Sequence, residues 1–201
     1  MKKLLAVLLV LAMIFSFAAC GSSGESAQQS QEQETEKPSE TQNDVNSRDK
    51  NIGGIYSLTV PDDWERNDEM QAWLTPDGTV AVYFYTIATS YGDISMPAGL
   101  SIDDSNFEEE YVKYLQAIYA PDGIKVRSGI GYNLMTDSKV KYHQGLLTYT
   151  YSDNSTSSSI VNIYDYTDTE FFVVEYAYAT LRAQNAIECS NKINDTIKKL
   201  K

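Results

Sequence analysis

The feature that most constrains the fold is a spacing of tyrosines. Four pairs stand two residues apart, each inside a stretch rich in β-branched and aromatic residues. Side chains alternate between the two faces of a β-strand, so residues i and i+2 point the same way. The spacing therefore predicts four strands that each present two tyrosines on one face. The pairs are Tyr83 and Tyr85, Tyr149 and Tyr151, Tyr164 and Tyr166, and Tyr176 and Tyr178.

These pairs have two interpretations. Tyrosine has a high β propensity, and cross-strand aromatic pairs stabilise sheets, which favours a structural role in the core. The alternative is a binding surface, since a ring with a polar tip suits an interface. On that alternative some of the rings form a groove for a sugar or a peptide, and the loop at residues 89–103 is its rim.

The rest of the chain completes an antiparallel sheet. Alternating apolar residues bounded by turn residues predict strands at 54–60, 70–75, 79–88, 124–136, 139–151, 156–166 and 170–179. The apolar positions of the fifth strand change parity around Gly145, so we expect a β-bulge near Gln144 and Gly145. Strand clusters joined by tight turns, with helices between and after them, predict an α+β domain with about six or seven strands.

Two helices are expected. Ser105 and Glu108 have the spacing of a capping box at the start of the first helix, which the sequence Pro-Asp-Gly at 121–123 ends. The second helix is expected to run to the chain end with lysines in its last turn. Its apolar stripe is narrow and indicates that the helix packs on the sheet; the stripe consists of Ala186, Cys189, Ile193, Ile197 and Leu200.

The first fifty residues are of a different kind. Residues 1–19 combine Lys2 and Lys3 with an uncharged apolar run, as an export signal does. Residues 20–50 are rich in Ser, Gln and Glu and contain no aromatic residue, which predicts a disordered tether. The domain is expected to occupy residues 51–201.

The sequence "FAAC" at 17–20, followed by "GSSG", resembles the lipobox of bacterial lipoproteins. The resemblance implies that the signal is cut before Cys20 and that this cysteine carries lipid. The expected location is therefore the extracytoplasmic side of the cell membrane, with the membrane itself as a partner through stable acyl anchoring.

Residues 52–201 resemble the PsbP-like family, named for an extrinsic protein of photosystem II. The motifs that carry the resemblance are "YSLTVPDDW", the helix "SNFEEEYVKYL", and the last strand "FFVVEYAYA" before "INDTIKKL". The resemblance implies an antiparallel sheet of six or seven strands with helices packed on it. It implies no activity, because members of this fold include assembly factors, binding modules and lipoproteins.

No catalytic, metal or cofactor site is predicted. His143 is the single histidine, and the chain contains no G-x-S-x-G nucleophile elbow. Cys189 lies on an apolar stripe and is expected to be a buried, inert thiol. The acidic clusters match turns and a helix start; weak calcium binding at residues 165–170 is the remaining alternative. With 28 acidic and 16 basic residues and a net charge of −12, nucleic acid is not an expected partner.

The favoured function is therefore a lipid-anchored extracytoplasmic module, not an enzyme, that binds an envelope protein, a peptide or a glycan. One alternative is an envelope hydrolase that uses His143 with Ser and Asp residues the sequence does not pair. The other is a small solute-binding lipoprotein, for which the domain is short.

Overall fold

The structure, a computed structural model, describes residues 47–179 and 182–200. The predicted signal peptide, Cys20 and most of the predicted tether lie outside the described residues. The helices are α1 (Phe107–Tyr119) and α2 (Ala183–Asn194), and a 3-10 helix (Ala120–Asp122) follows α1. The strands are β1 (Asp49–Ile52), β2 (Tyr56–Thr59), β3 (Glu65–Asn67), β4 (Ala72–Leu74), β5 (Val80–Ala88), β6 (Ser90–Tyr91), β7 (Ile94–Ser95), β8 (Lys125–Ser128), β9 (Tyr132–Met135), β10 (Lys141–Thr150), β11 (Thr156–Thr167), β12 (Glu170–Tyr178) and β13 (Lys198–Lys199).

One large antiparallel sheet organises the domain. Its strand order is β3-β4-β5-β12-β11-β10, and β8 and β9 both pair with the outer edge of β10. The α+β class and the antiparallel sheet are confirmed. Within the described residues this sheet has eight strands. The predicted strand at 124–136 is two strands, β3 adds one that was not predicted, and the predicted strand at 54–60 lies in another sheet.

Both faces of the large sheet are buried, which is unusual for an antiparallel sheet. Odd-numbered residues of the central strands pack under α1, together with Phe107, Tyr111 and Leu115 of that helix. Even-numbered residues pack under α2 and a three-stranded sheet of order β1-β2-β13. Each central strand therefore carries apolar residues at both parities.

This two-sided burial corrects the predicted bulge. Pairing between β10 and β11 runs without interruption through Gln144 and Gly145. The parity of the apolar residues changes because Tyr142 packs on the α2 face, whereas Leu147 packs on the α1 face. The register shift of the sheet lies instead at the end of β11, between Asp165 and Thr167.

The capping box predicted for α1 is also wrong. Asn106 is the N-cap residue and makes no side-chain capping bond, and the backbone N–H of Phe107 donates to the carbonyl of Asp104. Glu108 turns instead towards the sheet, where its carboxylate lies against Gly131. The predicted end of the helix is confirmed, since Gly123 follows the 3-10 helix with a left-handed φ of 72°.

The last helix is shorter than predicted. It ends at Asn194, because the Thr196 hydroxyl donates to the carbonyl of Ile193 and accepts the backbone N–H of Thr59. Of the lysines predicted in its last turn, Lys198 and Lys199 lie in β13, which pairs with β2, and Lys201 lies outside the described residues. Ile197 is fully buried, but Leu200 is 47% exposed and does not belong to the apolar stripe.

The folded part begins before residue 51. Asp49 and Lys50 lie in β1, and the Arg48 guanidinium donates to the carbonyl of Trp64 at 2.8 Å. The same guanidinium stacks 5.1 Å from the centre of the Trp73 ring. No helix within residues 47–179 and 182–200 has the length and apolar character that a membrane span requires.

Candidate functional site

The four tyrosine pairs do not share one face. Tyr83, Tyr85, Tyr149 and Tyr151 lie on the α1 face. Tyr164, Tyr166, Tyr176 and Tyr178 lie on the α2 face. The sheet therefore separates the pairs, and no surface contains all eight rings.

Most of these rings form the core. Tyr164 and Tyr176 are fully buried, and Tyr83 and Tyr149 are 3% and 6% exposed. Tyr164 stacks on Phe172 of the neighbouring strand with ring centres 5.5 Å apart. Such cross-strand aromatic contacts are the structural role that the sequence favoured.

A polar network on the α2 face joins the helix to the sheet. The Asn194 amide accepts hydrogen bonds from Asn162 at 3.0 Å and from the Tyr164 hydroxyl at 2.9 Å. It donates to the Tyr142 hydroxyl at 2.9 Å, and Asn162 also donates to the Ser190 hydroxyl at 2.9 Å. These bonds satisfy the buried amides, so the network has a structural role.

A second polar cluster lies on the α1 face around Glu175. The Tyr85 hydroxyl donates to one carboxyl oxygen of Glu175 at 2.9 Å, and the other oxygen has no hydrogen bond. The hydroxyls of Ser159 and Tyr149 also favour the charged carboxyl, although neither Ser159 Oγ nor the second carboxyl oxygen of Glu175 has a hydrogen bond of normal geometry. Because burial outweighs these contacts, the pKa of Glu175 is raised. Glu175 is 4% exposed, which leaves a substrate no access to it.

His143 is also part of the α1 face. Its Nδ1 donates to the Asn133 side-chain oxygen at 2.8 Å, and its ring packs edge-on against Phe107. Burial lowers the pKa of His143, although the Glu108 carboxylate opposes this shift. Its Nε2 has no hydrogen-bond partner among the described residues, so no hydroxyl or thiol is placed there for activation.

The other candidates from the sequence are structural. Cys189 is buried, and burial raises the pKa of its thiol to about 11, so the unreactive thiol form prevails at neutral pH. The carboxylate of Asp165 accepts the hydroxyl of Ser101 and the backbone N–H of Ile102, which holds the loop before α1. Residues 47–179 and 182–200 contain no group of three metal-ligating side chains.

The surface that sequence reasoning missed is at β9. Its four residues are all exposed, and three of them, together with Ile130, are large apolar residues close together in the chain at one edge of the large sheet. We call this group the β9 surface; it consists of Ile130, Tyr132, Leu134 and Met135, which are 73%, 57%, 40% and 52% exposed. Gly129 and Gly131, which interrupt the predicted strand, were the available signal.

Gly131 explains why the strand is interrupted there. A Cβ atom at this position would lie 2.5 Å from His143 Nε2 and 2.6 Å from Glu108 Oε2. A larger residue at this position would therefore require the His143 ring or the Glu108 carboxylate to shift. Beyond it, β9 resumes pairing with β10 but extends past the cover of α1.

The edge of β9 differs from the other edges of the large sheet. Along β8 the edge is covered, since the Gln116 side chain of α1 donates to the carbonyl of Val126 at 2.8 Å. At the opposite end, β3 is three residues long and carries Glu65 and Arg66. Short, charged or covered edges resist pairing with other chains. Within the described residues β9 carries no charged side chain, all of its residues are exposed, and it pairs only with β10.

A cavity of about 310 Å³ lies beside this edge. Its apolar lining includes Ile102, Leu134, Met135 and Tyr142. Lys141 and Asp103 also line it, and they form an ion pair with atoms 2.6 Å apart. The β9 surface thus combines an open strand edge with an apolar depression.

Searches of protein-family models and of curated proteins find no match to this chain. Among solved structures, the chain is similar to the solution structure of cyanobacterial PsbP (CyanoP) from Synechocystis sp. PCC 6803. The identity is 8% and the TM-score 0.49, over 74% of this chain and 89% of that chain. This neighbour is a PsbP-like protein, the family that the sequence resembles. The similarity concerns the arrangement of strands and helices.

Proposed function

We propose that this protein is a lipid-anchored extracytoplasmic binding module, without catalytic activity, that holds a partner protein at the β9 surface. The observation that carries the proposal is the exposure of four apolar side chains along an uncovered strand edge. Contiguous exposed apolar groups mark interaction sites in soluble domains. The unpaired Nε2 of His143 offers a hydrolase no activated nucleophile, so a binding role is favoured.

The anchor in this proposal is a lipid on Cys20, for which the lipobox resemblance is the support. A Cys20→Ser change is expected to abolish incorporation of radiolabelled palmitate and to release the protein from membranes or leave the precursor uncut. Cys189→Ser is the matched control, because Cys189 is the other cysteine of the chain and is buried in the domain. Labelling that survives Cys20→Ser would refute the anchor.

The binding surface is tested in living cells with a photo-crosslinking amino acid. It replaces Tyr132 in one variant and Tyr91 in another; both tyrosines are exposed, at 57% and 46%. We expect adducts with a defined envelope protein from position 132 and none from position 91. Equal adducts at both positions, or none at position 132, would contradict a binding role for the β9 surface.

A further inference from the structure

We propose that the β9 surface binds an extended acidic segment of a partner protein, which adds to the large sheet as a further strand beside β9. This inference rests on the proposed function and names the chemistry of the partner. Three properties of the described residues carry it: outward-facing backbone groups, apolar side chains on both faces of the edge, and exposed basic side chains near both ends of β9.

The backbone groups come first. Across the turn between β9 and β10, the N–H of Thr136 donates to the carbonyl of Val140. In an antiparallel pair, successive residues alternate between bonding to the partner and pointing away from it. The N–H and C=O groups of Leu134 therefore face β10, whereas those of Asn133 and Met135 point outward. An added strand would bond to these outward groups.

The same groups argue against burial of this edge in a lipid bilayer. Unpaired backbone N–H and C=O groups cost several kcal/mol each in hydrocarbon, so open sheet edges do not occur there. A second peptide backbone satisfies them. The exposed apolar side chains are therefore better covered by a strand than by a membrane.

The side chains of the edge offer contacts on both faces. Tyr132 and Leu134 lie opposite Gln144 and Tyr142, on the α2 face. Met135 lies opposite Lys141, on the other face. A strand beside β9 would place alternate side chains against each group, because its own side chains also alternate.

Charge decides the partner's composition. The chain has a net charge of −12, yet residues 124–143 contain four basic residues and one acidic residue, Asp137. Lys141 is already paired with Asp103, and the Glu108 carboxylate lies at Gly131, so the other three basic residues are the ones that a partner could meet. Lys125 and Arg127 lie on β8, which is in line with β9 along β10, and Lys139 lies just beyond the other end of β9. All three are exposed, and none has an ion pair within the described part of the chain. Acidic residues at both ends of the added strand would complement them.

The test measures amide hydrogen exchange of β9 in the full chain carrying Cys20→Ser. The probes are three synthetic peptides: one with alternating Val and Thr flanked by Asp and Glu, a second with the flanking residues changed to Lys, and an acidic one with N-methylated backbone. We expect the first to slow exchange at Asn133 and Met135. The other two should bind at least about tenfold more weakly, a difference of about 1.4 kcal/mol.

Met135→Pro provides the test from the protein's side. It removes an N–H that points outward but none that pairs with β10, so the fold should tolerate it at this edge. We expect the variant to lose binding of the acidic peptide, whereas the matched Met135→Ala variant retains most of it. If Met135→Pro does not fold, the N-methylated peptide measures the same backbone bonds without any change to the protein.

Other occupants give different results. Slower β9 exchange with vesicles of phosphatidylcholine and phosphatidylglycerol, and not with the acidic peptide, would overturn the inference in favour of a membrane. Protection that depends on protein concentration alone would overturn it in favour of a second copy of this chain. Crosslinking at position 132 in cells without binding of any peptide would reject strand addition and leave the proposed function standing.

Discussion

The two faces of the large sheet bury polar groups in different ways. On the α2 face, Asn162, Ser190 and Asn194 join tyrosine hydroxyls in a network whose buried amides all have partners. Both faces contain some buried polar atoms without a partner: on the α2 face these include the Tyr176 hydroxyl, whereas on the α1 face they include the titratable groups of Glu175 and His143. On the first face polar groups hold a helix to the sheet, whereas on the second face burial shifts the pKa of two ionisable groups towards the neutral form. Because burial raises the pKa of Glu175 and lowers that of His143, we expect the α1 face to account for more of the pH dependence of stability between pH 4 and pH 8 than the α2 face does.

The largest effect is expected from breaking the satisfied network. Asn194→Ala removes the partner of Asn162, Tyr164 and Tyr142 at once and leaves buried groups unpaired. We expect a loss of about 2–4 kcal/mol in the free energy of unfolding, measured by chemical denaturation.

The matched control on the same helix is Gln184→Ala, because Gln184 is exposed. Its loss should stay below about 0.5 kcal/mol. Similar losses for the two variants would mean that the network does not stabilise the packing of α2.

The next effect is expected at Glu175. Because its pKa is raised in the folded state, the protonated carboxyl is favoured by folding. Its contribution is complete below the ordinary glutamate pKa and is lost as pH rises through the folded pKa. Glu175→Gln removes this loss, so we expect the variant to gain roughly 1 kcal/mol or more over the wild type at pH 8 and little at pH 4.

Glu69→Gln serves as the control for that experiment, since Glu69 is exposed. The readout is the free energy of unfolding from pH 4 to pH 8. A Glu175→Gln variant whose stability curve runs parallel to the wild type over this range would count against a neutral buried carboxyl.

A smaller effect of opposite sign is expected at His143. Its pKa is lowered in the folded state, so the contribution of the neutral ring is complete above the ordinary histidine pKa near 6.5. It is lost as pH falls through the folded pKa. His143→Gln should remove the loss of stability between pH 6.5 and pH 5, and no other histidine contributes to it. The measurement is thermal unfolding between pH 5 and pH 6.5. A variant whose stability still decreases with falling pH as steeply as that of the wild type would show that His143 is not the group responsible.

The smallest effect on stability is expected at the β9 surface. Leu134 is 40% exposed, so Leu134→Ala should change the free energy of unfolding by less than about 0.5 kcal/mol. Leu147→Ala, at a residue that is 2% exposed, should cost about 2–5 kcal/mol. Equal costs at both positions would place the β9 surface in the core and remove the reason for a binding role.

Local patterns were sufficient for much of the fold. The strands β5, β10, β11 and β12 match their predicted ranges within about two residues. The helical segment formed by α1 and the 3-10 helix ends before Gly123, as predicted, because glycine adopts the left-handed conformation at little cost. The candidate site was not predicted, because the residues of β9 alternate in the same way as those of a buried strand. Whether they are exposed depends on whether α1 packs over them.

The sequence by itself determined the α+β class, the four long strands β5, β10, β11 and β12, and most apolar positions of both helices, because these depend on backbone sterics and on periodicity within a few residues. Only the tertiary structure decided which tyrosine pair faces which helix, where α2 ends, and that β9 is open. Each of these depends on contacts between distant residues, such as Thr196 with Thr59, and Gly131 with Glu108 and His143. Alternation places two tyrosines on the same side of a strand, but the elements packed on the sheet decide whether that side is core or surface.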